Sequence, residues 1–320
     1  RTITKKCMEI GERVKVFVTG VGGQLGHDVM NELAARGISG IGSDIAPIYS
    51  GIHDGSPVCG MPYIPMDITN HAEVSRVLNE VKPDVVIHCA AWTDVDAAEE
   101  PANASKVHAI NAEGTRHIAC ACKALDAKMI YISTDYVFSG RGEKPWQPDC
   151  KEYNPLNVYG RTKLEGEQAV AETLEKYFII RIAWGFGLNG KNFIRTMLNM
   201  GEKHDTLSVV CDQIGTPTYM LDLAHLLADM IETEKYGYYH ATNEGGYISW
   251  YEFACEIFKQ AGMDVKVTPV STAEYTAAYP GQAKRPMNSR ISKEKLSDNG
   301  FERLPAWQDA LGRFLKEIEY

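Results

Sequence analysis

The feature that most narrows the possible folds is an apolar run, Lys15-Val-Phe-Val-Thr19, leading straight into Gly20-Val-Gly22-Gly23-Gln24-Leu25-Gly26. The run reads as a buried strand, and the amphipathic stretch from Gln24 to Arg36, closed by Gly37, reads as a helix. Gly20, Gly23 and Gly26 therefore lie in a strand-to-helix turn. Such a turn lets backbone approach a pyrophosphate, while the helix start offers unpaired N–H donors and a partial positive charge. In this setting the glycines read as a dinucleotide fingerprint, spaced GxxGxxG, rather than as an ordinary βα turn.

The same rhythm continues along the chain. Ile38 to Ser43, Val85 to Cys89, Met129 to Ser133 and Phe178 to Ala183 read as strands. Between them lie helices at Asn70 to Val81 (with Asn70 as cap), Ala102 to Leu125 and Val158 to about Lys176, plus an irregular Gly- and Pro-rich loop from Asp44 to about Met61 and a weak strand at Tyr63 to Pro65. Strands alternating with helices of this length imply βαβ crossovers, hence an α/β fold with a doubly wound parallel (Rossmann) sheet. After Trp184 the rhythm loosens. Helices are expected near Phe193 to Met200, Tyr219 to Glu232, Ser249 to Gln260 and Pro305 to Ile318, extended segments at Leu207 to Val210, Tyr238 to Ala241 and Val265 to Pro269, and a loop at Asp212 to Thr218. The expected division is a nucleotide-binding core over 14–184, to which some later segments return, and a smaller C-terminal α/β substrate lobe over 185–320. Residues 1–13 are expected to be a tag or disordered leader, with Met8 a possible start.

Composition bounds the partners. The chain has 320 residues, 33 Lys plus Arg against 42 Asp plus Glu, so its formal charge is 33 − 42 = −9. No basic patch offsets that balance, so neither a nucleic acid nor an anionic membrane is an expected partner. No apolar run approaches the ~20 residues that span a bilayer. The eight cysteines include no CxxC, and Cys120 and Cys122 fall on different faces of a helix, so reduced thiols in the cytoplasm are the expected state. The nine histidines show no paired metal-binding spacing, and no metal is expected.

The candidate chemistry lies at the strand ends. Asp44 follows the second strand, 24 residues after Gly20, where a carboxylate can accept bonds from ribose hydroxyls and repel a 2′-phosphate. This favours NADH over NADPH as cofactor; the other reading of Asp44 is a turn cap. Asp67 ends the third extended segment and either meets the adenine or caps the next helix. Tyr159 and Lys163, four apart on a helix, share one face. An ammonium beside a phenol favours the phenolate, which suits a proton donor working below the phenol's ordinary pKa of about 10. Thr134, at the end of the strand carrying Ser133, can orient a carbonyl toward that phenol or simply cap its strand. Glycine loop, strand-end hydroxyl and YxxxK in this order point to carbonyl reduction.

At these residues the chain resembles the extended short-chain dehydrogenase/reductase superfamily and, within it, the dTDP-4-dehydrorhamnose reductases. The resemblance rests on Gly-Gln-Leu-Gly at 23–26, Ala-Trp-Thr-Asp-Val-Asp at 91–96, Ser-Thr-Asp-Tyr-Val-Phe at 133–138, Tyr-Gly-Arg-Thr-Lys-Leu-Glu-Gly at 159–166, Asp-Gln-Ile-Gly-Thr-Pro-Thr at 212–218 and Arg285-Pro286. It implies that Gly23, Gln24, Leu25, Asp44, Asp67, Ile68, Ala91, Trp92 and Thr93 line the cofactor site, that Thr134, Tyr159 and Lys163 are catalytic, and that Val95, Asp135, Tyr136 and Trp184 touch a nucleotide-sugar substrate. Trp184 can also be read as a core aromatic. Arg285 is expected either to face the substrate phosphates or to sit in solvent. The implied reaction is hydride transfer from NADH or NADPH to C4 of dTDP-4-dehydro-L-rhamnose, by a monomer or homodimer. Asn111 matches a superfamily asparagine that supports the active-site backbone. Asp28 stands where some members carry a magnesium-binding glutamate, which weakens the expectation of a metal-linked dimer.

Two rivals remain at this level. A sugar-nucleotide epimerase or dehydratase shares the scaffold, but Tyr136 occupies the place where dehydratases usually carry an acid. A non-catalytic regulatory subunit of the methionine adenosyltransferase type is the other, and retention of Thr134, Tyr159 and Lys163 argues against it.

Overall fold

In a computed structural model, which describes residues 13–49 and 59–320, six parallel strands form the central sheet. The strands are β1 (Lys15–Thr19), β2 (Ser39–Ser43), β3 (Val85–His88), β4 (Lys128–Thr134), β5 (Tyr177–Ile182) and β6 (Gly237–His240). Their order is β6-β5-β4-β3-β1-β2, so chain direction across the sheet reverses between β1 and β3. In open sheets of this kind ligands bind at that reversal, beyond the carboxyl ends of the strands. The expected leader, with Cys7 and Met8, lies outside the described residues apart from Arg13, and so does the middle of the expected 44–61 loop.

The strands carry apolar residues on both faces because helices cover both. Val16 and Val18 point to one side, where they pack with Val29, Met30 and Leu33 of α1 (Gln24–Ala35) and Leu223 and Leu227 of α5 (Met220–Ile231). Phe17 points to the other, among Val74, Val77 and Leu78 of α2 (His71–Val81), Ile118 and Cys122 of α3 (Thr115–Leu125), and Val170 of α4 (Val158–Thr173). This period-2 alternation within one strand is what a sheet buried on both faces requires. β6 and α5 come from late in the chain and complete the sheet edge and one helical layer. The remaining C-terminal segments build a lobe with its own core, in which Phe186, Ile194 and Leu198 pack with Phe253, Ile257, Leu311 and Phe314. A parallel strand pair, Thr206–Val210 with Lys266–Val270, flanks it.

Most expected elements are present, with some departures. The Ala102 to Leu125 helix is composite: a 3-10 turn at Pro101–Asn103, α-helix at Ala104–His108, a π-helical stretch at Ala109–Gly114, then α3. Tyr63 to Pro65 makes a single bridge, Gly42 with Tyr63, because Pro62 and Pro65 lack the N–H a ladder needs. α4 stops at Thr173, three residues before the expected end, as Leu174 turns extended to feed β5. The expected 212–218 loop contains the two-residue strand Ile214–Gly215 and abuts Thr218–Tyr219. Thr272–Ala278 forms an unanticipated helix, capped reciprocally by Ser271 and Glu274.

α4 lies close against β4, the turn that follows it and the π-helical stretch, and two glycines permit it. A Cβ on Gly160 would strike the Tyr136 carbonyl, and one on Gly166 would strike the Tyr131 hydroxyl and come within 2.7 Å of the Asn111 carbonyl. Backbone atoms cannot yield as a flexible side chain would. Gly166→Ala is therefore expected to destabilise the fold by roughly 1–3 kcal/mol, the scale of overpacking a tight contact, measurable as a lower urea midpoint. An unchanged midpoint would mean α4 is not seated as described.

Candidate active site

A cleft of about 1410 Å³ opens at the carboxyl ends of the strands, between the sheet and the C-terminal lobe. Its floor is the glycine turn. Gly20 has φ +72°, and a Cβ there would lie 2.5 Å from the Ala90 nitrogen; a Cβ on Gly26 would overlap the Gly20 carbonyl. Gly23 caps α1 without any side-chain bond to the helix's first N–H groups. Those donors face the cleft, as an anion site at a helix start requires.

Asp44, at the end of β2, accepts from the Gly22 N–H at 2.8 Å and from the Ile45 N–H at 2.7 Å, so its carboxylate is held against the glycine turn and lines the cleft. Beside it the Ser43 hydroxyl is buried without a partner. Asp67 also lines the cleft, where it accepts from the Thr69 N–H and hydroxyl. The helix-cap reading of Asp67 does not hold: Asn70 caps α2, accepting from the Glu73 N–H at 3.1 Å. Gln24, Leu25, Ile68, Ala91, Thr93 and Val95 line the same wall.

The second wall carries the polar side chains of β4 and α4. Asn157 caps α4 by accepting from the Gly160 N–H at 2.7 Å, which sets the first turn and hence the direction of Tyr159. The Tyr159 phenol stands beside the Thr134 hydroxyl in the cleft wall, and that hydroxyl accepts from the Tyr136 N–H at 3.1 Å and donates to the Asp135 carboxylate at 3.4 Å. One turn on, Lys163 Nζ donates to the Ile132 carbonyl at 2.6 Å and lies 4.2 Å from the Tyr131 ring centre. Thr134, Tyr136, Tyr159 and Lys163 all line the cleft. Thr134 is thus both a strand-end cap and a wall residue.

Electrostatics here are governed by burial. Burial pushes the Tyr159 phenol up to about 12, against the lowering bond to Thr134, and brings the Lys163 ammonium down to about 7, partly offset by Glu167 and Cys89. The expectation that Lys163 lowers the Tyr159 pKa is therefore corrected. The amine is turned to a carbonyl, and loss of hydration outweighs its influence on the phenol. Asn111, in the π-helical stretch, ties the walls together: its carbonyl accepts from the Trp92 N–H at 2.8 Å, and its amide donates to the Trp92 carbonyl and to the Thr162 hydroxyl. Extra backbone in a π segment is often where a helix re-aims such a side chain.

Two expected contact residues do not face the cleft. The Trp92 indole donates to the Asp94 carbonyl beside Lys106, and only its backbone serves the wall through Asn111. Asp135 turns into the protein toward Ser289, where burial raises its carboxyl to about 7. Arg285 lines the cleft, where its partly exposed guanidinium also grips Asp96 with two bonds of 3.0 and 2.8 Å. Trp184 lines the cleft as well, with its backbone at φ +50° and its ring stacked on Trp250 at 3.7 Å. A bulky residue in that region costs of order 1–3 kcal/mol, and such strain concentrates at binding sites. Asp28 is buried on the inner face of α1, its carboxyl raised to about 8 by burial and then by Glu317 and Asp222.

Sequence reasoning missed the loop that closes the cofactor end. Gln24 accepts from the Gly187 N–H at 2.8 Å and from the Asn192 amide at 3.2 Å, and Asn189 donates to the Gly22 carbonyl at 3.0 Å. The Gly-Leu-Asn-Gly-Lys-Asn run at 187–192 marks a turn, which was the available signal.

The Lys163 shift has a consequence for stability. Between about 7 and its ordinary 10.5, the unfolded chain holds a proton that the folded chain does not, so this group's contribution rises with pH across that window and is lost as pH falls. Replacing it by Lys163→Met should remove the effect: denaturation at about pH 7.5 and about pH 9.5 should show wild type gaining on the variant at the higher pH. Parallel behaviour would sink the assignment of a depressed amine.

A family model described as the RmlD substrate binding domain matches residues 14–320. The chain is 39% identical to the dTDP-4-dehydrorhamnose reductase of Streptomyces griseus over 307 residues, 93% of this chain and 92% of that one. It is 35% identical to the enzyme of the same name from Aggregatibacter actinomycetemcomitans over 305 residues, 93% and 97% of the two chains. Among solved structures, the Bacillus anthracis dTDP-4-dehydrorhamnose reductase in complex with NADP superposes with a TM-score of 0.81 at 38% identity, covering 95% of this chain and 99% of that one. A Thermus thermophilus UDP-glucose 4-epimerase with NAD shares the fold, at a TM-score of 0.77 and 18% identity over 96% of this chain and 99% of that one.

Proposed function

The chain belongs to the RmlD substrate binding domain family, and we propose that it reduces the C4 keto group of dTDP-4-dehydro-L-rhamnose to give dTDP-L-rhamnose. The observation that carries this reading is the meeting of Thr134, Tyr159 and Lys163 in one cleft with the Gly20–Gly26 turn. Residues 14–184, with the returning segment 220–240, form the cofactor half in this reading, and the rest of 185–320 mainly holds the sugar. Seven free thiols among the described residues fit a reducing cytoplasm.

The cleft fits a nicotinamide dinucleotide: the turn has no room for a side chain at Gly20 or Gly26, the start of α1 has no side-chain cap on its N–H groups, and Asp44 stands where a ribose diol would be read. When bound, NADH or NADPH supplies the hydride. Gly20, Gly23, Gln24, Leu25 and Gly26 would hold the pyrophosphate end, with Asp44, Asp67, Ile68, Ala91 and Thr93 along the nucleoside portions. Lys163 would hold the nicotinamide ribose. Tyr159, half-buried in the cleft wall and with its pKa raised, keeps its proton until an alkoxide develops at C4 and then gives it up. Thr134 orients the carbonyl from the other side. Val95, Tyr136 and the strained Trp184 form the sugar wall, while Arg285 acts through Asp96.

Because it retains the hydroxyl partner but has no proton to give, Tyr159→Phe is expected to bind NADH normally while turnover falls by about 10²- to 10⁴-fold. Loss of reduced-nicotinamide absorbance with a panel of keto-sugar nucleotides checks this; full turnover in the variant would overturn the proton-donor role. Asp44 also favours NADH, since its carboxylate would face a 2′-phosphate. Asp44→Asn should raise kcat/KM for NADPH relative to NADH by roughly tenfold or more, and an unmoved ratio would show that Asp44 does not select the cofactor.

A further inference from the structure

Beneath the two walls lies a buried ion pair that the mechanism above does not use. Arg181 of β5 and Glu167 of α4 have side chains 0% and 1% exposed. Arg181 Nε donates to Glu167 Oε1 and Nη2 to Oε2, both at 2.8 Å. The guanidinium also donates to the Pro148 carbonyl at 3.1 Å and to the Tyr153 hydroxyl at 3.0 Å, and it packs against the rings of Phe138 and Tyr238. A fully buried pair gives little net stability, because desolvation consumes most of the Coulomb gain. Its presence here asks for another role.

The position of the pair supplies one. Register places Ser133 beside Arg181 across β4 and β5, and the Ser133 hydroxyl donates to Glu167 Oε1 at 2.5 Å. Ser133 directly precedes Thr134, and Glu167 lies one turn beyond Lys163 and two beyond Tyr159 on α4. Thus one carboxylate joins the strand bearing the hydroxyl to the helix bearing the phenol and the amine. Arg181 fixes that carboxylate with two bonds in a single orientation, as a planar guanidinium can and an ammonium cannot. The glycines of α4 allow the helix to approach β4, but they do not set its height along the strand. Bonds to fixed points on the strand can, and the Ser133–Glu167–Arg181 link is one, alongside the Lys163 amine on the Ile132 carbonyl and the Tyr131 hydroxyl on the Lys163 carbonyl.

We propose that Ser133, Glu167 and Arg181 are positioning residues for the carbonyl reduction: together they set the distance between Thr134 on β4 and Tyr159 and Lys163 on α4. The inference rests on the reductase reading above. Hydrogen bonds weaken steeply beyond their normal range, and a misplacement of about 1 Å can cost ~10²-fold in rate, so even a small slide of α4 is felt in the chemical step.

Two variants separate positioning from stability. Ser133→Ala removes the link to β4 and leaves the buried pair intact. It is expected to lower kcat for keto-sugar reduction at least about tenfold, with KM for the nicotinamide cofactor and the urea midpoint little changed, and Ser133→Thr, which restores a hydroxyl, is expected to recover most of the loss. The double variant Glu167→Met/Arg181→Met replaces the pair with apolar volume, a change that often leaves stability unaltered or improved. It too is expected to fold and to lose kcat. If the double variant fails to fold, the serine series still decides. Wild-type kcat in Ser133→Ala or in a folded double variant overturns the proposal, as does a Ser133→Ala loss that Ser133→Thr does not restore. Wild-type protein assayed alongside keeps the two questions apart: absence of turnover there would count against the reductase reading, not against the positioning role.

Discussion

The site depends on how closely α4 lies against β4. The reactive side chains meet across that seam: Tyr159 stands beside Thr134, the Lys163 amine donates to the Ile132 carbonyl, and the Ser133 hydroxyl donates to Glu167. All three need close approach, and a side chain at Gly160 or Gly166 would force α4 or its neighbours to shift. Steric permission comes first, and the electrostatics of the cleft follow from it.

Bringing a phenol and an amine so near the protein interior strips both of water. The result is a cleft in which neutral forms are favoured on both groups: the phenol keeps its proton and the amine loses its own more easily. For a step that ends in proton delivery to oxygen, a reluctant phenol is suitable, since transfer then waits for a strongly basic alkoxide. The opposite wall is held by Asn111, which bonds the Trp92 backbone and Thr162. A local irregularity of the helix, the π-helical stretch, carries that asparagine.

Local patterns were readable before any coordinates. The strand–glycine–helix run at 15–36, the Tyr159–Lys163 spacing and the Asn70 cap each depend on neighbours within a few residues, and each is present as expected. Features that depend on register or on distant partners were not readable. Nothing near Arg181 announces that it pairs with Glu167, because the pairing depends on which strand neighbours β5 and on the height of α4. Asp135 lies in a motif expected at the substrate, yet a 3-10 turn after β4 rotates it inward toward Ser289. The Arg285 side chain was expected at phosphate or solvent, and its pairing with Asp96, 189 residues away in sequence, had no local signal. The left-handed backbone of Trp184 had no sequence signal, since tryptophan is a residue in which it is least expected.

The last strand of the sheet has a consequence for how the molecule is made. β6 is supplied only at residues 237–240, after the chain has left the sheet and laid down part of the C-terminal lobe. Until then β5 presents an open edge carrying the Arg181 side chain, and unpaired edges invite pairing with other chains. The segment 220–240 thus moves the sheet's border outward from the six-residue β5 to the four-residue β6, a shorter edge that leaves less backbone exposed to a stray partner strand.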